Sequence, residues 1–320
     1  MKIAILGAGS LGSVFGGSLA SAGSEVSLIS RNAAYVDAVN DHGLVLIEGS
    51  QRRIIEVSAT SDPKTIGLVD LLIVLVKSFD TREAIISAKS IVGPTTVVLT
   101  LQNGLGNEAV IDEELGRGFV MAGRTFVGGD AIAPGEIVAG LRGKHTVIGE
   151  LDGVVTGRIK DISALFNKAG IDTEISTNIN SVIWGKLLVN VATGAIAGIT
   201  GLPYGLLYQV SEVHEVALNA VNEAITVAGA LGIELSVTDP EQIWQSAGTG
   251  LAAEFRTSIL QSLDRGSITE VDFINGAVVS AGNKVGVPTP VNSTLVGCIK
   301  GIEARNRANQ NPQPRPSASF

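Results

Sequence analysis

Short apolar runs rich in β-branched residues recur through the first half of the chain, separated by turn signals and helical stretches. They include KIAILG, EVSLIS, DLLIVLVK and TTVVLTLQNG, all before residue 152. Continuous apolar runs of this length are typical of strands covered on both faces, as in a parallel sheet with helices above and below. GEIVAG and HTVIGE are predicted to be a pair of edge strands that close the same domain. Residues 1–152 are therefore predicted to form an α/β domain.

From residue 153 the pattern changes to long helical windows, and only IDTEIST still reads as a strand. The windows cover residues 179–193, 206–231, 239–264 and 270–285. This pattern predicts an all-α second domain over residues 153–306. The last segment, NRANQNPQPRPSASF, is rich in Pro, Asn and Ser and cannot bury a hydrophobic face. Residues 307–320 are therefore predicted to be a flexible tail.

Composition narrows the class of partner. A formal net charge of -8 argues against a nucleic-acid groove or an anionic membrane surface and favours a small molecule. The single cysteine, Cys298, excludes an intrachain disulfide and fits a reducing compartment. His42, His145 and His214 are too scattered along the sequence to suggest a metal site. The apolar run at the N-terminus is broken by glycines too early for a signal peptide or a membrane span, so we predict a cytoplasmic protein.

A GxGxxG turn follows the first predicted strand, in KIAILGAGSLGSVFGG. Gly7 permits a tight turn, Gly9 lets the backbone approach a pyrophosphate, and Gly12 allows close packing of the next helix. Ser10 and Leu11 open that helix, whose N-terminus suits a phosphate. A glycine turn with a purely structural role is the alternative. The position between a strand and a helix favours a Rossmann domain that binds a dinucleotide.

The strand EVSLIS ends in Ser30, Arg31 and Asn32, where an NAD-binding domain normally carries an acidic residue. A carboxylate at this point would repel a 2′-phosphate, whereas a guanidinium and two small donors would hold it. We therefore predict NADP(H) as the cofactor in preference to NAD(H). The alternative is that Arg31 is only a solvated charge at the start of a helix.

Lys77 and Asn103 each come at the end of a later strand, in LLIVLVK and LQNGLG. The carboxyl ends of strands line the ligand crevice of a doubly wound sheet, so both side chains are predicted to face the cofactor. Each residue also has a structural alternative, since Lys77 can be a solvated strand end and Asn103 with Gly104 can be a simple turn.

Two polar residues interrupt the apolar segment WGKLLVNVATG of the helical half. Lys186 and Asn190 are one helical turn apart and share a face, while the residues between them are apolar.

A second cluster, further along, contains Ser258 and Glu270. Taken alone, Ser258 is an ordinary helical serine and Glu270 a carboxylate in a first helical turn, with Thr269 as a local cap.

Taken together, these residues resemble one family, the ketopantoate reductases or 2-dehydropantoate 2-reductases. The resemblance is carried by GAGSLGSVFGGSLASAG, VKSFDT, LQNGLGNE, WGKLLVN and TEVDFINGAVVSAGNKVGVPTPVN, and leaves only the tail uncovered. It implies a Rossmann domain joined to a helical domain like that of 6-phosphogluconate dehydrogenase. The implied activity is the reduction of ketopantoate to (R)-pantoate with NADPH, in pantothenate biosynthesis.

The resemblance also implies roles for individual residues. Lys186 is the catalytic acid, and Glu270 tunes the charge of that lysine or holds the nicotinamide ribose. Asn103, Asn190 and Ser258 are implied to bind substrate, and Asn103 also the cofactor. The chemistry is coherent, because hydride arriving at a ketone carbon builds negative charge on oxygen, and an ammonium beside it both stabilises that charge and donates the proton.

The positions around this frame depart from the usual family pattern. Gly194 replaces a second asparagine, Tyr204 follows a proline where an asparagine is usual, Phe255 and Arg256 replace small or amide side chains, and Ser262 stands for an aspartate. These changes alter the size and charge of the substrate pocket more than its chemistry.

Three further possibilities therefore stay open beside ketopantoate reduction. One is a D-2-hydroxy acid dehydrogenase that acts on another branched or aromatic 2-keto acid. Another is a non-catalytic protein that senses the NADP ratio, although such a sensor has no use for an acid at position 186. The third concerns assembly, since the apolar helix HEVALNAVNEAITVAGALG suits either a homodimer interface or the core.

Overall fold

The computed structural model describes residues 1–116 and 118–310 of the chain. The chain forms two compact units, which divide between Ile183 and Trp184. This division falls later than the predicted boundary after residue 152. The reason is that residues 173–175, which follow that boundary, add a strand to the sheet of the first unit.

The strands of the first unit form two sheets. They are β1 Lys2–Leu6, β2 Glu25–Ile29, β3 Leu44–Glu48, β4 Gln51–Ile55, β5 Ser58–Thr60, β6 Val69–Val74, β7 Val92–Thr100, β8 Val120–Thr125, β9 Gly128–Ala133, β10 Glu136–Gly140, β11 Thr146–Gly149 and β12 Thr173–Ile175. The larger sheet has the order β12-β11-β8-β7-β6-β1-β2-β5. Strand β1 is parallel to both of its neighbours, β2 and β6. The chain therefore leaves β1 to build one half of the sheet and returns beside it to build the other, which makes the end of β1 a topological switch point.

Helices cover both faces of this sheet. They are α1 Ser10–Ser21, α2 Ala33–His42, α3 Thr81–Ala88, α4 Asn107–Leu115 and α5 Gly157–Lys168. Alternate residues of each strand enter opposite cores: Ile3 and Ile5 pack with Phe15 of α1, whereas Leu6 packs with Ile85 of α3. The predicted α/β domain, with a largely parallel sheet between helices, is confirmed.

The smaller sheet has the order β4-β3-β10-β9 and corrects one prediction. GEIVAG forms β10 in this sheet, whereas HTVIGE forms β11, which lies between β8 and β12 in the larger sheet. The prediction that the two segments are edge strands is therefore wrong, because each lies inside its sheet. Each strand pairs with a neighbour on both sides: β10 pairs with β3 and β9, and β11 pairs with β8 and β12.

The second unit is built from helices. They are α6 Ile179–Thr200, which begins in the first unit, then α7 Tyr204–Leu207, α8 Ser211–Ala230, α9 Pro240–Gly248, α10 Ser258–Asp264, α11 Asn275–Val285 and α12 Pro290–Gln310, with one 3-10 turn at Val271–Phe273. The predicted all-α domain is confirmed. The window 239–264 is two helices rather than one, because residues 249–257 do not continue the helix.

Helix α12 extends beyond residue 306, where the flexible tail was predicted to begin. Residues 307–310 complete its last turn, and side-chain amides hold this end in place. Asn306 donates to the carbonyl of Leu263, and Gln310 donates to the carbonyl of Gly266. The rest of the predicted tail, residues 311–320, lies outside the described residues.

Helix α6 is the one helix among the described residues that is long and apolar enough to cross a membrane by length and composition. In its most apolar window, 67% of the residues are buried inside the protein. This burial is typical of a core helix. Val191, Ala192 and Ala195 have no exposed surface.

A buried ion pair supports the loop between β7 and α4. Arg124, on β8, is 1% exposed and donates to the carbonyls of Gly123 at 2.6 Å and Gly104 at 2.8 Å. It also donates to Oε1 of Glu108 at 3.0 Å. Because the guanidinium is satisfied by carbonyls as well as by a carboxylate, its burial is tolerated and the loop is fixed to the sheet.

The substitution Arg124→Met is expected to lower the free energy of unfolding by about 3–5 kcal/mol, because it leaves the half-buried carboxylate of Glu108 and the buried carbonyls of Gly104 and Gly123 without their donor. Urea denaturation followed by circular dichroism measures the change. The control is Arg82→Met, since Arg82 forms its ion pairs with Glu113 and Glu114 at the surface and should matter far less. Equal losses in the two variants would contradict the prediction.

Candidate functional site

The predicted cofactor residues of the first unit follow four neighbouring strands. Arg31 follows β2, Gly7 follows β1, Lys77 lies in the loop after β6, and Asn103 lies in the loop after β7. The strands β2, β1, β6 and β7 are adjacent and parallel. Their carboxyl ends therefore meet at one edge of the sheet, beside the switch point, where ligands bind in open α/β sheets.

Close backbone packing explains two glycines of the GxGxxG turn. Gly7 has a positive φ of 101°, and a Cβ atom there would lie 2.5 Å from the backbone nitrogen of Val76. Gly12 has the same limit, because its Cβ would lie 2.3 Å from the carbonyl oxygen of Gly7. The turn, the loop after β6 and helix α1 therefore approach one another at distances that only glycine allows.

Gly9 differs from the other two glycines of the motif, because a Cβ there would meet no heavy atom within 4 Å. It is exposed and is the N-cap residue of α1, whose first turn starts with Ser10 and Leu11. Space over a glycine beside a helix N-terminus of this length suits an anionic group. The residues present therefore fit the pyrophosphate of a dinucleotide, with Gly9 leaving room for it.

Arg31 has a partner that the sequence did not indicate. Its Nη2 donates to Oδ2 of Asp80 at 2.6 Å, and the Arg31 side chain is 75% exposed. Asn32 is the N-cap residue of α2, where its side-chain oxygen accepts from the backbone of Tyr35 at 3.3 Å. An exposed ion pair is weak, so the guanidinium can exchange Asp80 for a phosphate.

Buried polar side chains tie the loop of Lys77 to the loop of Asn103. The carbonyl of Asn103 accepts from Oγ of Ser78 and from Nδ2 of Asn107, both at 2.9 Å. Gln102 donates to the carbonyl that precedes Lys77 at 2.8 Å. Lys77 itself is exposed, and Asn103 is half-buried. The network fixes the backbone from which both predicted site residues project.

The supporting residues Ser78, Gln102 and Asn107 were missed in the sequence, although each is next to or near a predicted site residue. The available signal is their position: Ser78 and Gln102 come shortly after β6 and β7, and Asn107 opens α4. All three are buried in the fold. Buried polar groups of this kind require partners, and here they find them in the neighbouring loop.

In the second unit, Lys186 and Asn190 lie one turn apart on α6, and both are half-buried. The residues between and after them, Leu187, Leu188 and Val191, are buried. The helix therefore presents a lysine and an amide on its less buried face, as its sequence pattern predicts.

Ser258 is the first residue of α10 and is exposed. The preceding residue, Thr257, caps this helix by accepting from the backbone of Leu260 at 3.2 Å. The hydroxyl of Thr257 also lies 3.5 Å from the carbonyl of Gly194, which is one turn beyond Asn190 on α6. The structure thus places the start of α10, with Ser258, beside the same stretch of α6.

Glu270 is 6% exposed and precedes the 3-10 turn Val271–Phe273. Its carbonyl accepts from the backbone of Phe273 at 3.0 Å. Thr269 acts as the expected local cap, since its hydroxyl accepts from the backbone of Val271 at 3.3 Å. The same hydroxyl donates to Glu303 on α12, a buried carboxylate that the sequence did not indicate.

Three of the positions that depart from the family pattern lie around one stretch of the second unit. The rings of Tyr204 and Phe255 meet edge to face at a centroid distance of 5.0 Å. The hydroxyl of Tyr204 is 2.9 Å from that of Thr193, next to Gly194. Burial raises the pKa of the Tyr204 hydroxyl above its ordinary value. Phe255 keeps 38% of its surface exposed.

The other two departures have local partners. Arg256 pairs with Asp264, with Nη2 at 2.7 Å from Oδ2. Ser262 donates to the carbonyl of Ser258 at 2.9 Å, within the same helix. Among residues 1–116 and 118–310, there is no group of three or more His, Cys, Asp or Glu side chains that could hold a metal ion.

Comparison with known proteins extends over almost the whole chain. Residues 3–153 match the family model of ketopantoate reductase PanE/ApbA, and residues 178–303 match the model of its C-terminal domain. A 2-dehydropantoate 2-reductase from Pyrococcus abyssi is 38% identical over 304 residues, which cover 95% of this chain and 98% of the relative. A second one, from Halobacterium salinarum, is 32% identical, with 94% and 98% covered.

Two solved structures also match this chain over nearly its full length. A PanE/ApbA family ketopantoate reductase from Ralstonia eutropha JMP134 is 35% identical with a TM-score of 0.89, covering 96% of this chain and 100% of that one. A D-mandelate dehydrogenase, solved with NADH and anilino(oxo)acetate, is 27% identical with a TM-score of 0.90 and the same coverage. From the two family models and these relatives, the chain belongs to the ketopantoate reductase family.

Proposed function

We propose that this protein is an oxidoreductase that reduces 2-dehydropantoate to (R)-pantoate with NADPH, in pantothenate biosynthesis. The observation that carries the proposal is the pair Lys186 and Asn190 on the less buried face of α6, in a chain that matches 2-dehydropantoate 2-reductases over nearly its full length. The partner is accordingly a small molecule, a 2-keto acid.

Lys186 carries the acid chemistry of the proposal. When bound, the nicotinamide supplies a hydride to the ketone carbon. The ammonium of Lys186 stabilises the charge that develops on the ketone oxygen and then donates its proton to that oxygen. Asn190, one turn along the helix, donates a hydrogen bond that orients the substrate.

The remaining predicted residues bind the two ligands. Ser258 and Asn103 supply neutral donors for the carboxylate of the keto acid. Glu270 is assigned to the hydroxyls of the nicotinamide ribose, from which its carboxylate accepts, and to tuning the charge of Lys186. Its 6% exposure keeps this carboxylate largely away from bulk water, which strengthens both effects.

The family and the NADH-bound relative support a nicotinamide dinucleotide as cofactor. The Gly7 to Gly12 turn and the start of α1 hold its pyrophosphate, and Lys77 and Asn103 lie along the same edge of the sheet. Preference for NADP(H) over NAD(H) rests on Arg31, which is exposed and paired only weakly with Asp80.

A second candidate function is supported by the aromatic contact between Tyr204 and Phe255. An exposed phenyl ring beside the α6 stretch suits an aromatic 2-keto acid, and one structural relative is a D-mandelate dehydrogenase bound to anilino(oxo)acetate. In this version the acid chemistry of Lys186 is unchanged, and the protein is a D-2-hydroxy acid dehydrogenase.

A cytoplasmic location is part of the same proposal, and the exposed thiol of Cys298 suits a reducing compartment. Assembly into a homodimer stays a prediction.

The first prediction from this proposal concerns Gly9. Gly9→Val should weaken NADPH binding about tenfold or more, because the side chain enters the space assigned to the pyrophosphate. The melting temperature should stay close to that of the wild type, since a Cβ at this position meets no atom of the protein. Gly157→Val is the control, because Gly157 is also open and starts a different helix. Fluorescence titration with NADPH measures both, and unchanged affinity in Gly9→Val would refute the assignment.

The second prediction concerns the choice of cofactor. Arg31→Ala should raise the KM for NADPH by roughly ten- to a hundredfold, because the 2′-phosphate loses a charge-assisted hydrogen bond. The KM for NADH should stay nearly unchanged, because NADH has no 2′-phosphate. Arg52→Ala is the control, since Arg52 pairs with Glu136 in the smaller sheet. Equal use of NADH and NADPH by the wild type would remove the basis for this prediction.

The third prediction tests the function itself. NADPH oxidation is followed by absorbance with ketopantoate and with branched, linear and aromatic 2-keto acids. The wild type should prefer ketopantoate, and Lys186→Ala should lower turnover by about a hundredfold or more. Lys284→Ala, at an exposed lysine of α11, serves as the control.

Preference for an aromatic keto acid would establish the second candidate function, with Tyr204 and Phe255 as its pocket. Tight NADPH binding without turnover of any keto acid would instead favour a cofactor sensor. Normal turnover in Lys186→Ala would end the assignment of the acid.

A further inference from the structure

Glu303 is a buried carboxylate that the proposed chemistry leaves without a role. It lies on α12 and its side chain is 4% exposed. Its Oε1 accepts from the backbone nitrogen of Thr269 at 2.8 Å and from the hydroxyl of Thr269 at 2.7 Å. Its Oε2 is 3.3 Å from Nζ of Lys300, which also pairs with Asp272. Glu303 therefore binds Thr269 directly, and its other partner, Lys300 on the same helix, pairs in turn with Asp272 of the same short segment.

The hydroxyl of Thr269 links Glu303 to Val271, the residue that follows Glu270. It donates to Glu303 and accepts from the backbone nitrogen of Val271 at 3.3 Å. The carbonyl of Glu270 in turn accepts from Phe273 at 3.0 Å. The peptide group between Glu270 and Val271 is thus held at both its N–H and its carbonyl, and Glu303 anchors the preceding residue, Thr269, to α12 through its backbone nitrogen and its hydroxyl.

The burial of this arrangement makes it stiff. Thr269 is 3% exposed and Glu303 is 6% exposed. A hydrogen bond to a buried carboxylate is stronger than one in water, and leaving that carboxylate without donors is costly. The backbone at Glu270 is therefore more restricted than a loop between two helices normally is.

We propose that Thr269 and Glu303 are positioning residues, which fix the direction in which Glu270 presents its carboxylate to the bound nicotinamide ribose. The inference rests on the proposed function, in which Glu270 contacts that ribose. Misplacement of a functional group by about 1 Å costs up to roughly a hundredfold in rate, so a support of this kind has a measurable effect on turnover.

A purely structural role for Glu303 makes a different prediction. In that case, replacing Glu303 would lower the stability of the fold and leave the kinetic constants of the folded enzyme unchanged. The two possibilities are separated by kinetics measured well below the unfolding temperature, with the melting temperature recorded for every variant.

The test compares Thr269→Val with Thr269→Ser. Valine keeps the shape of threonine and loses the hydroxyl, while serine keeps the hydroxyl. With the keto acid that the wild type turns over, Thr269→Val should lower kcat/KM about tenfold, and Thr269→Ser should restore most of the activity. Thr173→Val is the matched control, because Thr173 is also buried and its hydroxyl donates at 2.7 Å to the carbonyl of Ile171 in the first unit. It should lose stability and keep its kcat/KM.

Two further variants link the effect to Glu270. Glu303→Gln retains an oxygen that accepts both donors of Thr269, so it should stay more active than Glu303→Leu. In a background that carries Glu270→Ala, adding Thr269→Val should cause no further loss of kcat/KM, because the group it positions is already gone.

Each outcome bears on a different statement. A wild type that turns over no 2-keto acid defeats the proposed function, and this inference with it. An active wild type whose Thr269→Val variant has normal kinetics, or losses that add to those of Glu270→Ala, overturns the inference alone. Non-additive losses with rescue by serine support it.

Discussion

The first unit depends on the close approach of three backbone segments at Gly7. The nitrogen atoms of Gly7 and Ala8 donate to the carbonyl of Ile29 at the end of β2, and Leu75 donates to the carbonyl of Leu6 at the end of β1. No side chain fits at Gly7, because its Cβ would lie 2.5 Å from the backbone of the β6 loop. This constraint fixes the ends of β2, β1 and β6 relative to one another. It is the reason that residues far apart in the sequence, such as Arg31 and Lys77, share one edge.

The parts of the fold that follow from local sequence were predictable, and those that depend on distant pairing were not. Strands β1, β2, β6 and β7 each contain a short apolar stretch, because both faces of the larger sheet are covered. The smaller sheet gives a weaker signal, since four of the five residues of β4 are exposed. Nothing in GEIVAG indicates that one of its partners is β3, which lies much earlier in the sequence, at residues 44–48. A strand pattern identifies a strand but not its neighbour.

The same distinction applies to the site. Gly7, Arg31, Lys186 and Glu270 are recognisable because each stands in a motif or contrasts with apolar neighbours. Their supports are not recognisable, because the contact that explains them crosses long stretches of chain. Arg31 meets Asp80 across 49 positions, and Thr269 meets Glu303 across 34. A glutamate in a helix reads as a solvated charge until its burial and its partner are seen.

In the second unit, the residues assigned to catalysis and the residues that depart from the family pattern lie on different elements. Lys186 and Asn190 are on α6, a long helix with a buried side that limits where they can point. Phe255 and Arg256 belong to residues 249–257, which form no helix, and Tyr204 begins the short helix α7. Irregular segments tolerate substitution more readily than core helices do. Under the proposed function, a scaffold built this way lets the substrate pocket change while the acid stays in place, and we interpret Phe255 and its ring partner Tyr204 as changes of this kind.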